Sequence, residues 1–172
     1  SFMGEFLGNL GEWSALLAGR HGAPGRLLGP QPLGVSGTGK PPSRRVRAFL
    51  PEACRAWVVQ VTTDGQRVSR PMRRTHRAGI YEAVVQLPHA ATSPPYLFRV
   101  DDRTQGIREL YDPYAFPTML TDYDFHLLGE GRHWKSYEKL GAQLHSVDDV
   151  AGVNFAVWAP NSDAVSVVGD FN

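Results

Sequence analysis

Residues 46–62, VRAFLPEACRAWVVQVT, decide the fold class. Two short runs rich in β-branched and aromatic side chains, 46–50 and 56–62, flank the turn at Pro51-Glu52, and each reads as a strand. Within the second run Trp57 falls on the face alternate to Ala56 and Val58. Residues 79–87 and 95–100 have the same character and are set off by His76 to Ala78 and by Pro88 to Pro94. Strands at these intervals predict a mainly β fold, an immunoglobulin-like antiparallel β-sandwich.

The same pattern returns near the C-terminus. At the offset that places Pro51 on Pro160, Phe49 falls on Trp158, Ala56 on Val165, Val58 on Val167 and Val59 on Val168 without a gap. A strand, a proline-marked turn and a second strand are thus written twice. Chance similarity between two apolar hairpins is the other reading. If the repeat holds, the second copy has only the residues after Gly152 and is cut short. Two strands cannot bury a sheet face alone, so the fragment is expected to lie open at its edges, where strand exchange between two molecules can occur.

Composition agrees with a globular, turn-rich chain. The 172 residues carry 18 Lys and Arg against 17 Asp and Glu, a net charge of +1 that argues against a nucleic-acid or other polyanion partner. Gly and Pro make up 31 residues, which favours short elements over long helices. Cys54 is the only cysteine, so no internal disulfide forms. No apolar run approaches the roughly 20 residues needed to span a bilayer, and a cytoplasmic location without membrane attachment is expected.

Outward from the strands, Phe6, Leu7, Leu10, Trp13, Leu16 and Leu17 recur at helical spacing and predict an amphipathic helix over residues 5–18. Residues 22–43 are so rich in Gly and Pro that a loop without lasting regular structure is expected. The proline- and aromatic-rich run 111–124 is expected to pack along the sandwich. Residues 125–128 read as one helical turn and 134–144 as a short helix, bridging to the second unit.

No motif for chemistry survives its context. Gly34 to Lys40 has the glycine and lysine spacing of a phosphate-binding loop, but Pro41 replaces the magnesium-binding hydroxyl and no helix follows. The six histidines, His21, His76, His89, His126, His133 and His145, form no ligand pattern and read as surface or capping residues. The pairs Asp101-Asp102, Asp122 with Asp124, and Asp148-Asp149 lie where a turn or helix start wants Asp, with no burial to split their pKa values. No catalytic residue, metal ligand or cofactor is assigned. Trp57 is the one candidate binding residue. Facing outward, it offers a flat apolar plate with a polar N–H that suits a sugar ring or another domain; the other reading covers it with residues 111–116. Trp158 reads as core.

Phe155-Ala156-Val157-Trp158-Ala159-Pro160-Asn161 with Val165 to Asn172 resembles the opening of the carbohydrate-binding module family 48 sandwich, which precedes the catalytic barrel of glycogen-active enzymes. Tyr111-Asp112-Pro113-Tyr114-x-Phe116-Pro117, Leu127 to His133 and Tyr137 to Ala142 resemble the bacterial glycogen branching enzymes of the two-sandwich type. Agreement is poorest near the start, where Ala23-Pro24 and Leu28-Gly29-Pro30-Gln31 depart from the family's Asp-Pro and Leu-Gly-Pro-His.

The resemblance implies a retaining two-carboxylate transglycosylation of α-1,4-glucan on a barrel beyond Asn172, so that this stretch alone is expected to have no transferase activity. It implies four parts: an N-terminal helix and leader (1–24), a first β-sandwich (25–118), a helical linker (119–146) and the start of a second, incomplete sandwich (147–172). The expected partners are α-1,4-glucan or glycogen, the enzyme's own barrel, and a strand-exchanged second copy. The expected function is to bind or position glucan and influence the length of transferred chains; the alternative is an interdomain packing module that touches no sugar.

Overall fold

The computed structural model describes residues 9–33, 42–62, 64–87, 96–147, 150–163 and 165–170. The chain divides into two compact units, Ser1–Phe116 and Pro117–Asn172.

The first unit is a sandwich of two four-stranded antiparallel sheets. One has the order β1-β2-β6-β5, from β1 (Gly29–Pro32), β2 (Ser43–Phe49), β5 (Arg73–His76) and β6 (Ile80–Gln86). The other has the order β4-β3-β7-β8, from β3 (Ala53–Val61), β4 (Arg67–Pro71), β7 (Leu97–Asp102) and β8 (Gly106–Tyr111). Strand alternation puts Val46, Ala48, Tyr81, Ala83 and Val85 of the first sheet against Ala56, Val58, Phe98 and Val100 of the second, and these form one buried core. The chain changes sheets between β4 and β5 at buried Met72, whose N–H donates to the Ala56 carbonyl (2.8 Å).

Polar groups inside the sandwich are paired. The Tyr81 hydroxyl donates to the Ala53 carbonyl (2.7 Å). The Tyr96 hydroxyl donates to Asp112 Oδ2 (2.6 Å), and the Tyr114 N–H donates to Asp112 Oδ1 (2.9 Å). Asp112 thereby caps the 3-10 turn Pro113–Ala115 and ties the end of β8 to the strand entering β7. Burial raises the Asp112 carboxyl above its ordinary range, against the lowering effect of the Tyr96 hydrogen bond.

The first sheet has a third layer. Helix α1 (Leu10–Leu17) and the following segment lay Trp13, Leu16, Leu27 and Leu28 on Ile80, with Leu17 and Phe49 alongside. Beneath Trp13, Arg47 Nε donates to Glu82 Oε1 (2.6 Å) across the β2–β6 ladder, and these residues are only 5% and 9% exposed. The Arg47 guanidinium lies 5.5 Å from the Trp13 ring centroid.

Several expectations change. The run 22–43, expected to be loop, contains β1, whose Pro30 and Pro32 are tolerated because β1 is an edge strand with one ladder partner. Gly29 takes φ +81°, and a Cβ there would meet the Tyr114 Cβ at 2.6 Å, so the glycine permits the close approach of β1 to the 113–115 turn. Strands β4, β5 and β8 are additions to the expected set. The helix expected over 134–144 is instead a 3-10 turn, Ser136–Glu138, followed by strand β9 (Gly141–Val147); Gly141 at φ +87° ends the helical path. Residues 5–8 of the expected N-terminal helix lie outside the described residues, as do 34–41 with the phosphate-loop-like run.

The second unit holds helix α2 (Asp122–Gly129) and the antiparallel hairpin of β9 with β10 (Val150–Ala156). Residues 165–168, expected as the second strand of the repeat, lie in no strand. Leu144, Phe155, Val157 and Val168 are exposed, and Trp158, expected in a core, is 40% exposed, because among the described residues of this unit the hairpin has no second sheet facing it.

Candidate functional site

The outer face of the β4-β3-β7-β8 sheet is where the sequence-predicted residue stands. Trp57 is half-buried and points away from the core, as the alternation with Ala56 and Val58 requires. Its row across the sheet runs Pro71, Trp57, Arg99, Glu109. The next row toward the bulge brings Arg55, Asp101 and Ile107 together.

Charged forks surround the indole. Arg55 Nη2 and Nε donate to Asp101 Oδ2 at 2.6 and 2.9 Å, and its guanidinium sits 5.5 Å from the Trp57 ring centroid. That is a cation–π placement which also holds the ring's orientation. On the other side Glu109 accepts from Arg67 through Oε2 (2.7 Å) and from Arg99 through Oε1 (3.0 and 3.2 Å). These two arginines, Arg67 first, hold the Glu109 carboxyl below its ordinary range. Arg67 stands on one edge strand and Glu109 on the other, so the bridge closes over the row carrying Val59. Val59 points out of the sandwich, lies outside both core clusters, and is nevertheless fully buried.

The arrangement is therefore a ring plate held in a lattice of planar arginine and carboxylate groups, with exposed Ile107 and Tyr111 beside it on β8. Planar bidentate groups match pairs of neighbouring hydroxyls, and an aromatic plate matches the apolar face of a sugar ring. Among the described residues no cluster of three or more His, Cys, Asp or Glu is placed to hold a metal ion. The lattice escaped sequence reading because β4 and β8 did; the signal was the alternation Ile107, Glu109, Tyr111 against Arg108, Leu110 after the turn at 103–105.

Of the paired acids read from the sequence, Asp102 and Asp124 have structural roles. Asp102 accepts from the Thr104 N–H and hydroxyl (both 3.1 Å) and from Arg108 Nη2 (3.2 Å), and the Thr104 backbone bond leads in holding its carboxyl low. In the second unit Asp124 completes a capping box with Thr121. Asp124 Oδ2 accepts from the Thr121 N–H (2.8 Å) and hydroxyl (2.7 Å), and Oδ1 lies 2.9 Å from His133 Nε2. The Thr121 N–H first, then His133, keep the Asp124 carboxyl far below the usual range. His133, read from the sequence as a surface or capping residue, has its side chain buried beside the capping-box carboxylate of Asp124. Asp148-Asp149 and His89 lie outside the described residues.

Comparison with known proteins covers most of the chain. The family model for the alpha-1,4-glucan branching enzyme GlgB N-terminal domain matches residues 9–114. That for carbohydrate-binding module 48, the isoamylase N-terminal domain, matches 139–172. A 1,4-alpha-glucan branching enzyme from Rhodopirellula baltica is 42% identical over 164 residues, covering 95% of this chain and 21% of its own length. The enzyme of the same name from Paramagnetospirillum magneticum is 44% identical over 158 residues, covering 92% and 19%. The chain thus spans about a fifth of the length of these relatives. A pullulanase structure from Paenibacillus barengoltzii aligns at 25% identity and a TM-score of 0.37 over 58% of this chain and 16% of its own, too low to bear on the fold.

Proposed function

The chain belongs to the family of N-terminal domains of alpha-1,4-glucan branching enzymes, and from that premise we propose that it is the glucan-handling front end of such an enzyme. The parent would transfer α-1,4-glucan segments as a glycosyltransferase, by retaining chemistry on a barrel outside this chain. This stretch would bind or position the glucan chain and so influence the length of the segment transferred. The reading includes the four-part division at 24, 118 and 146, a cytoplasmic setting, and the capacity of the open β9–β10 hairpin to exchange strands with a second copy. Among the described residues no helix is long and apolar enough to cross a membrane.

The observation that carries the glucan reading is the outward Trp57 plate, flanked by Arg55, Asp101, Arg99 and Glu109 on the outer face of the β4-β3-β7-β8 sheet. The α-1,4-glucan is neutral, carries apolar ring faces and presents adjacent hydroxyls, which is the chemistry this lattice complements. Exposed Ile107 and Tyr111 beside the plate favour a second reading, in which the same face packs on another domain and touches no sugar.

Co-sedimentation with glycogen and a maltoheptaose titration followed by tryptophan fluorescence separate the two. Saturable binding that competes with glycogen supports the glucan reading. No binding at millimolar oligosaccharide leaves the packing reading.

A further inference from the structure

Helix α1 covers a charged pair with little of its own to hold it in place. Its 8 residues make about two turns, too short to persist as a helix without a surface to dock on. Asn9, at its N-terminus, makes no side-chain capping bond, and no basic side chain stands in its last turn. Its buried side chains are Trp13 and Leu16, with Leu17 partly buried beside them. An ion pair from α1 to the segment that follows, Glu12 with Arg26, is long (3.7 Å) and solvated, and so contributes little.

The bonded pair of Arg47 and Glu82 fixes where Trp13 rests. Sealing two ions away from water nevertheless costs desolvation that an apolar pair of similar size would not. Lifting α1 returns both ions to water without breaking the bond between them. The charge beneath the helix therefore lowers the cost of raising it.

The chain after α1 has a pivot and then an anchor. Gly19, at φ +68°, and Gly22 stand in open space, where a Cβ would meet no atom within 4 Å. Residues 18–20 and 22–23 are exposed. From Leu27 onward the chain is fixed: Leu27 and Leu28 are buried, Gly29 is pressed against Tyr114, and β1 is paired with β2. A short element with few buried contacts, joined to an anchored strand by an open glycine segment, has the form of a unit that opens locally. We propose that α1 is a lid that lifts as one body about residues 19–22 while the sandwich stays folded, and that the Arg47–Glu82 pair sets how often it lifts. Open, the first sheet presents a bonded arginine and carboxylate beside Phe49, the kind of surface that Arg55 and Asp101 already form on the other sheet.

The test is hydrogen exchange of the whole 172-residue chain, followed amide by amide by NMR, in the parent, in Val58→Ala and in the double variant Arg47→Met with Glu82→Leu. In the parent the bonded amides of α1 are expected to exchange through one shared opening, at least tenfold faster than those of β3 and β7, and to respond little to low urea because lifting the helix exposes little surface. Val58→Ala loosens the sandwich whether α1 is up or down, so it is expected to speed β3 and β7 at least tenfold and leave α1 unchanged. The double variant is expected to slow exchange in α1 at least tenfold. Equal rates for α1, β3 and β7 in the parent, or acceleration of α1 together with β3 and β7 in Val58→Ala, overturns the lid, because the helix then opens only with the whole sandwich. A double variant that does not fold, or that folds with α1 exchanging as fast as in the parent, overturns the part given to the ion pair.

Discussion

The two outer faces of the first sandwich use the same parts at different depths. Each has a tryptophan whose ring lies 5.5 Å from an arginine guanidinium, and each has that arginine bonded across a strand pair to a carboxylate at 2.6 Å. On the β1-β2-β6-β5 face the set Trp13, Arg47, Glu82 is sealed under α1. On the β4-β3-β7-β8 face the set Trp57, Arg55, Asp101 meets solvent, with Arg55 68% exposed at its side chain. Identical contacts therefore do different jobs. Buried, they tie the helix to the sheet; exposed, they cost little to rearrange and remain available to a ligand.

The comparison breaks most visibly at the sealed face. Glu82→Ala leaves Arg47 charged and buried, and a loss of about 3–5 kcal/mol in denaturant unfolding is expected. Trp13→Ala removes the lid over the same pair and is expected to cost a similar 3–5 kcal/mol. A loss below 1 kcal/mol in both would mean that α1 is not part of the folded core.

A smaller effect is expected from the Glu109 lattice, through pH. The folded carboxyl is held below its ordinary value of 4.5 by Arg67 and Arg99, so its contribution is present above about pH 4.5 and is lost as pH falls through the lower folded value. Glu109→Gln should remove that contribution at neutral pH and flatten the acid limb below 4.5, so that the two stability curves differ at neutral pH and converge at low pH. An acid limb as steep as the parent's would show the lattice to be absent in solution.

The smallest effect belongs to the open pair. Asp101→Ala is expected to change stability by less than about 1 kcal/mol, because the partner Arg55 is solvated. A cost equal to that of Glu82→Ala would erase the distinction between the faces.

How far the sequence went follows the same division. β2, β3, β6 and β7 carry the apolar alternation of strands buried on a face, and their positions and the outward direction of Trp57 were legible from it. β4 and β5, RVSRP and RRTH, are edge strands whose exposed arginines hide the pattern while protecting the edge. β1 was hidden by its prolines. The lattice on the Trp57 face depends on which residues of β4, β7 and β8 stand opposite β3, a register that no local pattern encodes. The burial of His133, read as a surface or capping residue, was not legible because its partner Asp124 meets it only through the turn after α2. Trp158 was misjudged because it was credited with a core that a lone hairpin does not supply.

The most direct test of the division between faces is the affinity of the Trp57→Ala chain for maltoheptaose, measured by calorimetry beside the parent at equal folded fraction. With the Trp57 face as a sugar platform, the variant loses at least tenfold at that site, about 1.4 kcal/mol, while its unfolding free energy falls by only about 1 kcal/mol. Parent-like binding by a folded Trp57→Ala chain would contradict the account and leave both faces of the sandwich to packing.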